Sequence, residues 1–129
     1  MGYESRIYVV RTSIYDNWDG NPYGSIIAIF NLSNMGNEKY NGVEFTQLFD
    51  RVNNCFIYGD DGNEILEDNY GDRLKYTTDI ERVISWLEAS EADDSYRRAE
   101  LFLNFLKVLN QQIKTNVWTN EIRLVHYGY

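Results

Sequence analysis

Few residues in this 129-residue chain have the chemistry that catalysis or metal binding needs. The single histidine, His126, and the single cysteine, Cys55, lie far apart in the sequence, on different predicted elements. A nucleophile needs an activating base beside it, and a zinc site needs several nitrogen or sulfur ligands. The residue types therefore predict no enzymatic activity, no metal and no cofactor. His126, near Ile122 and Leu124 on a predicted strand, is interpreted as a packed or hydrogen-bonded residue.

Two clusters of Asp and Asn, at residues 16–19 and 60–64, offer oxygen ligands of the kind that calcium takes. Neither has the alternating ligand positions of the helix–loop–helix calcium site. Asp, Asn and Gly are also the residues that tight turns favour. Both clusters are therefore interpreted as solvated turns.

The acidic residues are concentrated between positions 60 and 100. That stretch has thirteen Asp or Glu and five Lys or Arg, so it carries the whole net charge of −8. A protein that binds a nucleic-acid backbone needs a basic surface. The charge therefore disfavours direct binding to nucleic acid and favours a basic protein as the partner.

The candidate binding residues are the acids in the predicted turn and interhelix loop, because no fold requirement fixes them, together with two tryptophans. The chain has three Trp among many aromatics, and Trp is favoured at binding surfaces. The alternative is that these acids only solubilise the domain and that Trp86 covers the edge of the core. The candidates for partner binding are Asp60, Asp61, Glu64, Glu91, Asp93, Asp94, Trp18 and Trp86.

Alternating β-branched and aromatic residues predict strands at Arg6 to Tyr15 and at Ser25 to Leu32. The turn formers between them predict an antiparallel hairpin. The second strand is apolar on both faces from Ile26 to Phe30, which is typical of an interior strand covered on each side or of a strand beside helices. Residues 33–41 are predicted to form a loop, and Ile122 to Tyr127 a last strand that pairs inside the sheet.

The middle of the chain has weaker patterns. Val43 to Val52 has apolar residues at helical spacing, which predicts a short helix. Asp61-Gly62 favours a two-residue type I′ turn, so a hairpin is predicted between Cys55 to Gly59 and Asn63 to Glu67.

Two helices are predicted in the last third of the chain. Thr78 and Glu81 have capping-box spacing and begin a helix that runs from Asp79 to about Ser90. Ser95 to Asn116 has apolar residues over most of its circumference, so the helix is expected to be buried on two sides, by a sheet and by the other helix. Its Phe102, Leu106 and Leu109 are predicted to be fully buried.

These elements predict one α+β domain over residues 1–129. We expect a mostly antiparallel sheet of three to five strands with two antiparallel C-terminal helices packed on one face. No apolar run is long enough for a membrane span, and the start has no signal-peptide pattern, which predicts a cytoplasmic protein.

The opening Met-Gly-Tyr-Glu-Ser-Arg-Ile-Tyr-Val-Val, the short length, the acidity and the high Asn and Tyr content with only four Ala form one pattern. In these features the chain resembles small uncharacterised proteins of bacteriophages whose hosts have AT-rich genomes. The resemblance implies action in the host cell, where such acidic proteins often block defence systems, as anti-CRISPR proteins and nucleic-acid mimics do.

The predicted function is that of a non-enzymatic inhibitor whose acidic surface occupies a basic, nucleic-acid-binding surface of a host protein. One alternative is a small-ligand binder, such as a nucleotide-sequestering protein, in which Arg6, Arg11 or Arg123 holds phosphate. A structural or accessory phage protein is another alternative. An enzyme that uses paired carboxylates is a further one, and it is disfavoured because no spacing singles out a pair. The sequence leaves self-association into a homo-oligomer open.

Overall fold

The structure is a computed structural model that describes residues 5–13, 23–32, 40, 42–52, 54–92, 99–115 and 121–128. The chain divides into two compact units. The sheet unit contains the residues up to 78 and those from 119, and the helical unit contains residues 79–118. A largely antiparallel sheet together with helices confirms the predicted α+β class.

The sheet has five strands in the order β2-β1-β5-β4-β3, and all neighbouring strands are antiparallel. The last strand of the chain pairs with β1 on one side and with β4 on the other, which confirms that it lies inside the sheet. The strands are β1 (Ser5–Ser13), β2 (Tyr23–Asn31), β3 (Arg51–Val52), β4 (Lys75–Thr77) and β5 (Glu121–Gly128).

The predicted hairpin of the first two strands is confirmed, with a register shift between Val9 and Val10. The prediction that the second strand is interior is wrong, because β2 lies at the end of the sheet. Its Ile26, Ile27 and Ile29 are each at least 40% exposed. An apolar run records side-chain type, and it does not reveal whether another element covers the strand.

The segment predicted as a helix over residues 43–52 is helical for one turn only. Helix α1 spans Val43–Thr46, and the chain then turns into β3. A single turn gains few hydrogen bonds for the residues it orders. Packing therefore decides this segment, through the buried rings of Tyr40, Phe45 and Phe49.

Residues 54–74, which we call the meander, reverse direction twice by the same turn geometry. The N–H of Gly62 donates to the Gly59 carbonyl (3.0 Å), and the N–H of Gly71 donates to the Asp68 carbonyl (3.2 Å). Both glycines have positive φ, 80° and 85°. A turn followed by a left-handed glycine is a three-residue hairpin loop with a bulge. The predicted reversal at Asp61-Gly62 is confirmed, but its two-residue type I′ turn is wrong, because Asp61 does not have positive φ.

The meander covers one face of the sheet. Val10, Tyr76 and Val125 of the sheet pack with residues of the meander in one hydrophobic cluster. The cluster's meander residues are Cys55, Phe56, Ile57 and Leu74. Burial also raises the pKa of the Cys55 thiol to about 11, so the thiol is protonated at neutral pH.

The helical unit consists of α2 (Ile80–Ala92) and α3 (Glu100–Thr115). The ion pairs Glu81–Lys114 (2.5 Å) and Glu88–Lys107 (3.5 Å) join the two helices in opposite chain order, so the predicted antiparallel arrangement is confirmed. The predicted capping box at Thr78 is wrong. The carboxylate of Asp79 accepts the Arg82 N–H (3.1 Å), so Asp79 is the N-cap.

Helix α3 buries Phe102, Leu106 and Leu109, as predicted. However, Leu101 is 81% exposed and Val108 is 63% exposed. These two residues are seven positions apart and share a helix face. The expectation that α3 is buried on two sides is therefore wrong for the face that carries Leu101 and Val108. The apolar residues of α3 cover more of its surface than the helix buries. Among the described residues, no helix is both long and apolar enough to cross a membrane.

Candidate functional site

Three of the predicted binding residues come together in the first turn of the meander. Asp60 and Asp61 are exposed there, and Glu64 follows directly. The Asp61 carboxylate accepts the backbone N–H of Asn63 (3.0 Å) and its side-chain amide (3.2 Å). These hydrogen bonds lower the pKa of Asp61. The carboxylate is therefore ionised at neutral pH and fixed in orientation.

Glu64 has a structural role as well. Its Oε1 accepts the backbone N–H of Phe56 (3.2 Å). Phe56 has φ 60°, a left-handed conformation that residues other than glycine adopt only under constraint. The half-buried Glu64 thus helps to hold the meander in shape and presents only part of its carboxylate to solvent.

The carboxylates of the meander have no ionic partner within the described part of the chain. Six of them lie between residues 60 and 72, and none is in a salt bridge with a described residue. By contrast, Glu81 and Glu88 of the helical unit each pair with a lysine. The six are Asp60, Asp61, Glu64, Glu67, Asp68 and Asp72.

Glu91 is not an exposed binding residue. It is 4% exposed, and its Oε1 accepts the backbone N–H of Ala99 (3.1 Å), just before α3 begins. The prediction that no fold requirement fixes Glu91 is therefore wrong. Trp86, on the same helix, is half-buried. The remaining predicted residues, Asp93, Asp94 and Trp18, lie outside the described residues.

His126 belongs to a buried hydrogen-bond network in the sheet unit. The Ser5 hydroxyl donates to the Tyr40 carbonyl (3.0 Å), and Ser5 Oγ lies 3.1 Å from His126 Nε2. With the Ser5 proton directed at Tyr40, the tautomer of His126 that carries its proton on Nε2 donates to the Ser5 oxygen, so the direction of this hydrogen bond depends on the tautomer.

Aromatic rings enclose this histidine. The ring centroids of Phe45 and Phe49 lie 5.7 and 5.4 Å from that of His126. Burial lowers the pKa of His126 to about 4, so the imidazole is neutral at pH 7. The packed, hydrogen-bonded role predicted for this residue agrees with this environment.

A polar cavity of about 400 Å³ opens beside the imidazole. No sequence pattern predicts it, because its lining comes from three separate stretches of the chain. Lys75 reaches His126 only through the pairing of β4 with β5. The lining includes Phe49, Asp68, Asp72, Arg73, Lys75 and His126, together with Thr46 and Gly128.

Two of the three arginines considered as phosphate ligands are engaged in packing. The Arg123 guanidinium lies over the rings of Phe56 (4.8 Å) and Tyr76 (4.4 Å) and donates to the Asn54 carbonyl. Arg6 lies over the Tyr127 ring (5.5 Å). Neither arginine lines the cavity. Cation–π contacts of this kind stabilise the fold and occupy the face of the guanidinium.

The described residues contain no group of three or more His, Cys, Asp or Glu side chains placed to hold a metal ion. Comparisons of the chain with protein-family models, with curated proteins and with solved structures find no match.

Proposed function

We propose that this protein is a non-enzymatic binding protein that captures a basic protein through the carboxylates of the meander. The observation that carries this proposal is that six carboxylates lie within thirteen residues and form no salt bridge with the described part of the chain, and that four of them are exposed: Asp60, Asp61, Glu67 and Asp72. Unneutralised charges of one sign attract a surface of the opposite sign and raise the association rate.

The turn geometry supports the same proposal. Asp61 is fixed by two hydrogen bonds to Asn63, and each turn is closed by backbone hydrogen bonds. A surface that is already ordered loses little conformational entropy when it binds. The Asp61 carboxylate is therefore preorganised, and the exposed Asp60 and Glu67 lie on the same ordered backbone.

The class of partner follows from charge. Proteins that handle nucleic acids have basic surfaces, which carboxylates can occupy in place of phosphates. The resemblance to small phage proteins favours a defence or nucleic-acid-handling protein of the host. In this proposal the protein inhibits its partner by blocking access of the nucleic acid.

The test compares two triple variants with the same change in net charge. The first neutralises the meander by Asp60→Asn, Asp61→Asn and Glu67→Gln. The control neutralises three exposed acids elsewhere, by Glu44→Gln, Asp50→Asn and Glu88→Gln. Asn at position 61 keeps one oxygen that can accept the backbone N–H of Asn63 and is favoured in turns, so both variants should fold.

The partner recovered from host lysate on the immobilised wild-type protein serves as the analyte in association kinetics at low and high salt. We expect the meander variant to associate roughly tenfold or more slowly at low salt, and the difference to shrink at high salt as charges are screened. The control should stay near wild type. Equal slowing in both variants would leave only a net-charge effect and would overturn the proposal.

A further inference from the structure

We infer that the polar cavity of the sheet unit binds a small zwitterion, a molecule that carries one ammonium and one carboxylate group. This inference does not rest on the proposed function. The cavity shares Asp68 and Asp72 with the six meander carboxylates, but it does not use Asp60, Asp61 or Glu67, the residues that the test of the proposed function changes. The site is assembled from the second turn of the meander, β4, β5 and the segment that follows α1.

The size and burial of the cavity suit a small ligand. Its volume of about 400 Å³ falls in the range of small-molecule pockets. Two of its polar lining residues are more than nine-tenths buried, since Asp68 is 8% exposed and His126 is 9% exposed. A buried carboxylate is costly unless hydrogen bonds and opposite charge compensate it.

Asp68 is only partly compensated by the described residues. Its Oδ1 accepts the backbone N–H groups of Tyr70 (2.8 Å) and Asp72 (3.1 Å). Its Oδ2 forms no hydrogen bond with a described residue, and no described cation lies within salt-bridge distance of the carboxylate. Oδ2 remains accessible, since among the described residues only Glu91 Oε2 is a buried side-chain oxygen without a hydrogen-bond partner. A ligand ammonium can therefore reach Oδ2, and it would add a donor and a positive charge there.

Lys75 provides the opposite charge. It lies directly across from His126 in the pairing of β4 with β5, and it forms no salt bridge with a described residue. The charges of Asp68 and Lys75 act on the same imidazole, with opposite effects on its pKa, so both lie near it. A ligand carboxylate beside Lys75 would complete this side of the cavity.

The charge balance of the lining favours a zwitterion over a simple ion. The cavity is lined by two acids, Asp68 and Asp72, and by two bases, Arg73 and Lys75, while His126 is neutral at pH 7. A simple anion would be repelled by the acids, and a simple cation by the bases. The Phe49 ring offers an apolar contact to the part of the ligand between its charged groups.

The single histidine provides a direct readout of binding. We would titrate the wild-type protein with α-amino acids, with the longer β-alanine and γ-aminobutyrate, and with propionate and ethylamine, while recording the NMR signals of the His126 imidazole. At least one amino acid should give a saturable shift. Propionate and ethylamine should bind at least tenfold more weakly.

Two charge-neutralising variants make the test specific. Asp68→Asn keeps an oxygen acceptor for the turn, so the fold should persist, and it should weaken amino-acid binding at least tenfold while strengthening propionate binding. Lys75→Gln should also weaken the amino acid and should strengthen ethylamine binding instead. Lys107→Gln, at an exposed lysine of the helical unit, serves as the control. No saturable shift with any zwitterion, or propionate binding equal to that of the amino acid, would overturn the inference.

Discussion

Carboxylates in this chain have different roles that depend on which backbone N–H groups they meet. Asp61 is exposed and fixes a turn, Glu64 is half-buried and supports Phe56, and Glu91 is buried against the N–H of Ala99. In the sequence, these three residues appear only as acids of one charged region. The charge pattern identifies an acidic region correctly, but it cannot separate a surface charge from a buried hydrogen-bond acceptor.

Glu91→Ala should lower the free energy of unfolding by about 1–3 kcal/mol, because it leaves the buried N–H of Ala99 without this acceptor. Urea denaturation followed by circular dichroism measures the loss. The control is Glu88→Ala, an exposed acid on the same helix, where we expect a change of at most about 1 kcal/mol. Equal losses in the two variants would contradict the structural role of Glu91.

His126 should titrate near pH 4 in the folded protein, below its ordinary value of 6.5, because burial disfavours the imidazolium. The neutral, buried imidazole therefore does not oppose folding above pH 6.5. As the pH falls from 6.5 to 4, the unfolded chain binds a proton at His126 that the folded chain excludes, so the free energy of unfolding decreases. The shift corresponds to a loss on the order of 3 kcal/mol.

An NMR titration of the one imidazole measures this pKa directly. A midpoint near 6.5 in the folded protein would show that the ring is solvated and would contradict the packing around it.

Secondary structure elements differ in how far their own sequence specifies them. The periodicity of β1, β2, β5, α2 and α3 is long enough to predict each element. The two residues of β3 and the irregular meander depend on contacts with distant segments and on left-handed glycines, which local periodicity does not encode. Exposure is also decided outside the element, as the edge strand β2 and the solvent-facing Leu101 of α3 illustrate.

Helix α3 provides a matched pair of leucines for measuring the value of burial. Leu106→Ala should destabilise the protein by about 2–5 kcal/mol, because Leu106 is fully buried and its removal leaves a cavity. Leu101→Ala, on the exposed face, should change stability by no more than about 0.5 kcal/mol. Thermal and urea unfolding of both variants test this difference, and similar values would show that the two faces are covered alike.

At the scale of the whole molecule, the net charge of −8 predicts that the protein has little affinity for nucleic acids. We expect no saturable binding of duplex DNA or RNA at physiological salt, because phosphate attraction supplies most nonspecific affinity. Fluorescence anisotropy with labelled duplexes, and with a basic protein as positive control, measures this. Micromolar affinity that weakens as salt increases would contradict the prediction.

The candidate sites also differ in how well the sequence predicts them. The acidic turn around Asp60 and Asp61 can be found from residue types alone. The cavity cannot, because Asp68, Lys75 and His126 are brought together by a turn and by strand register. A constellation of this kind appears only when distant segments pair, and no local motif marks it.

The central place of β5 affects how the protein folds during synthesis. Strand β5 lies between β1 and β4 and joins them in the sheet. It is made after both the β1–β2 hairpin and the two helices, so β1 and β4 cannot be joined before residues 121–128 have left the ribosome. Pairing over such a long sequence separation is slow compared with local contacts. The edge of β1 that pairs with β5 therefore stays unpaired until residues 121–128 have been made, and an unpaired strand edge favours aggregation.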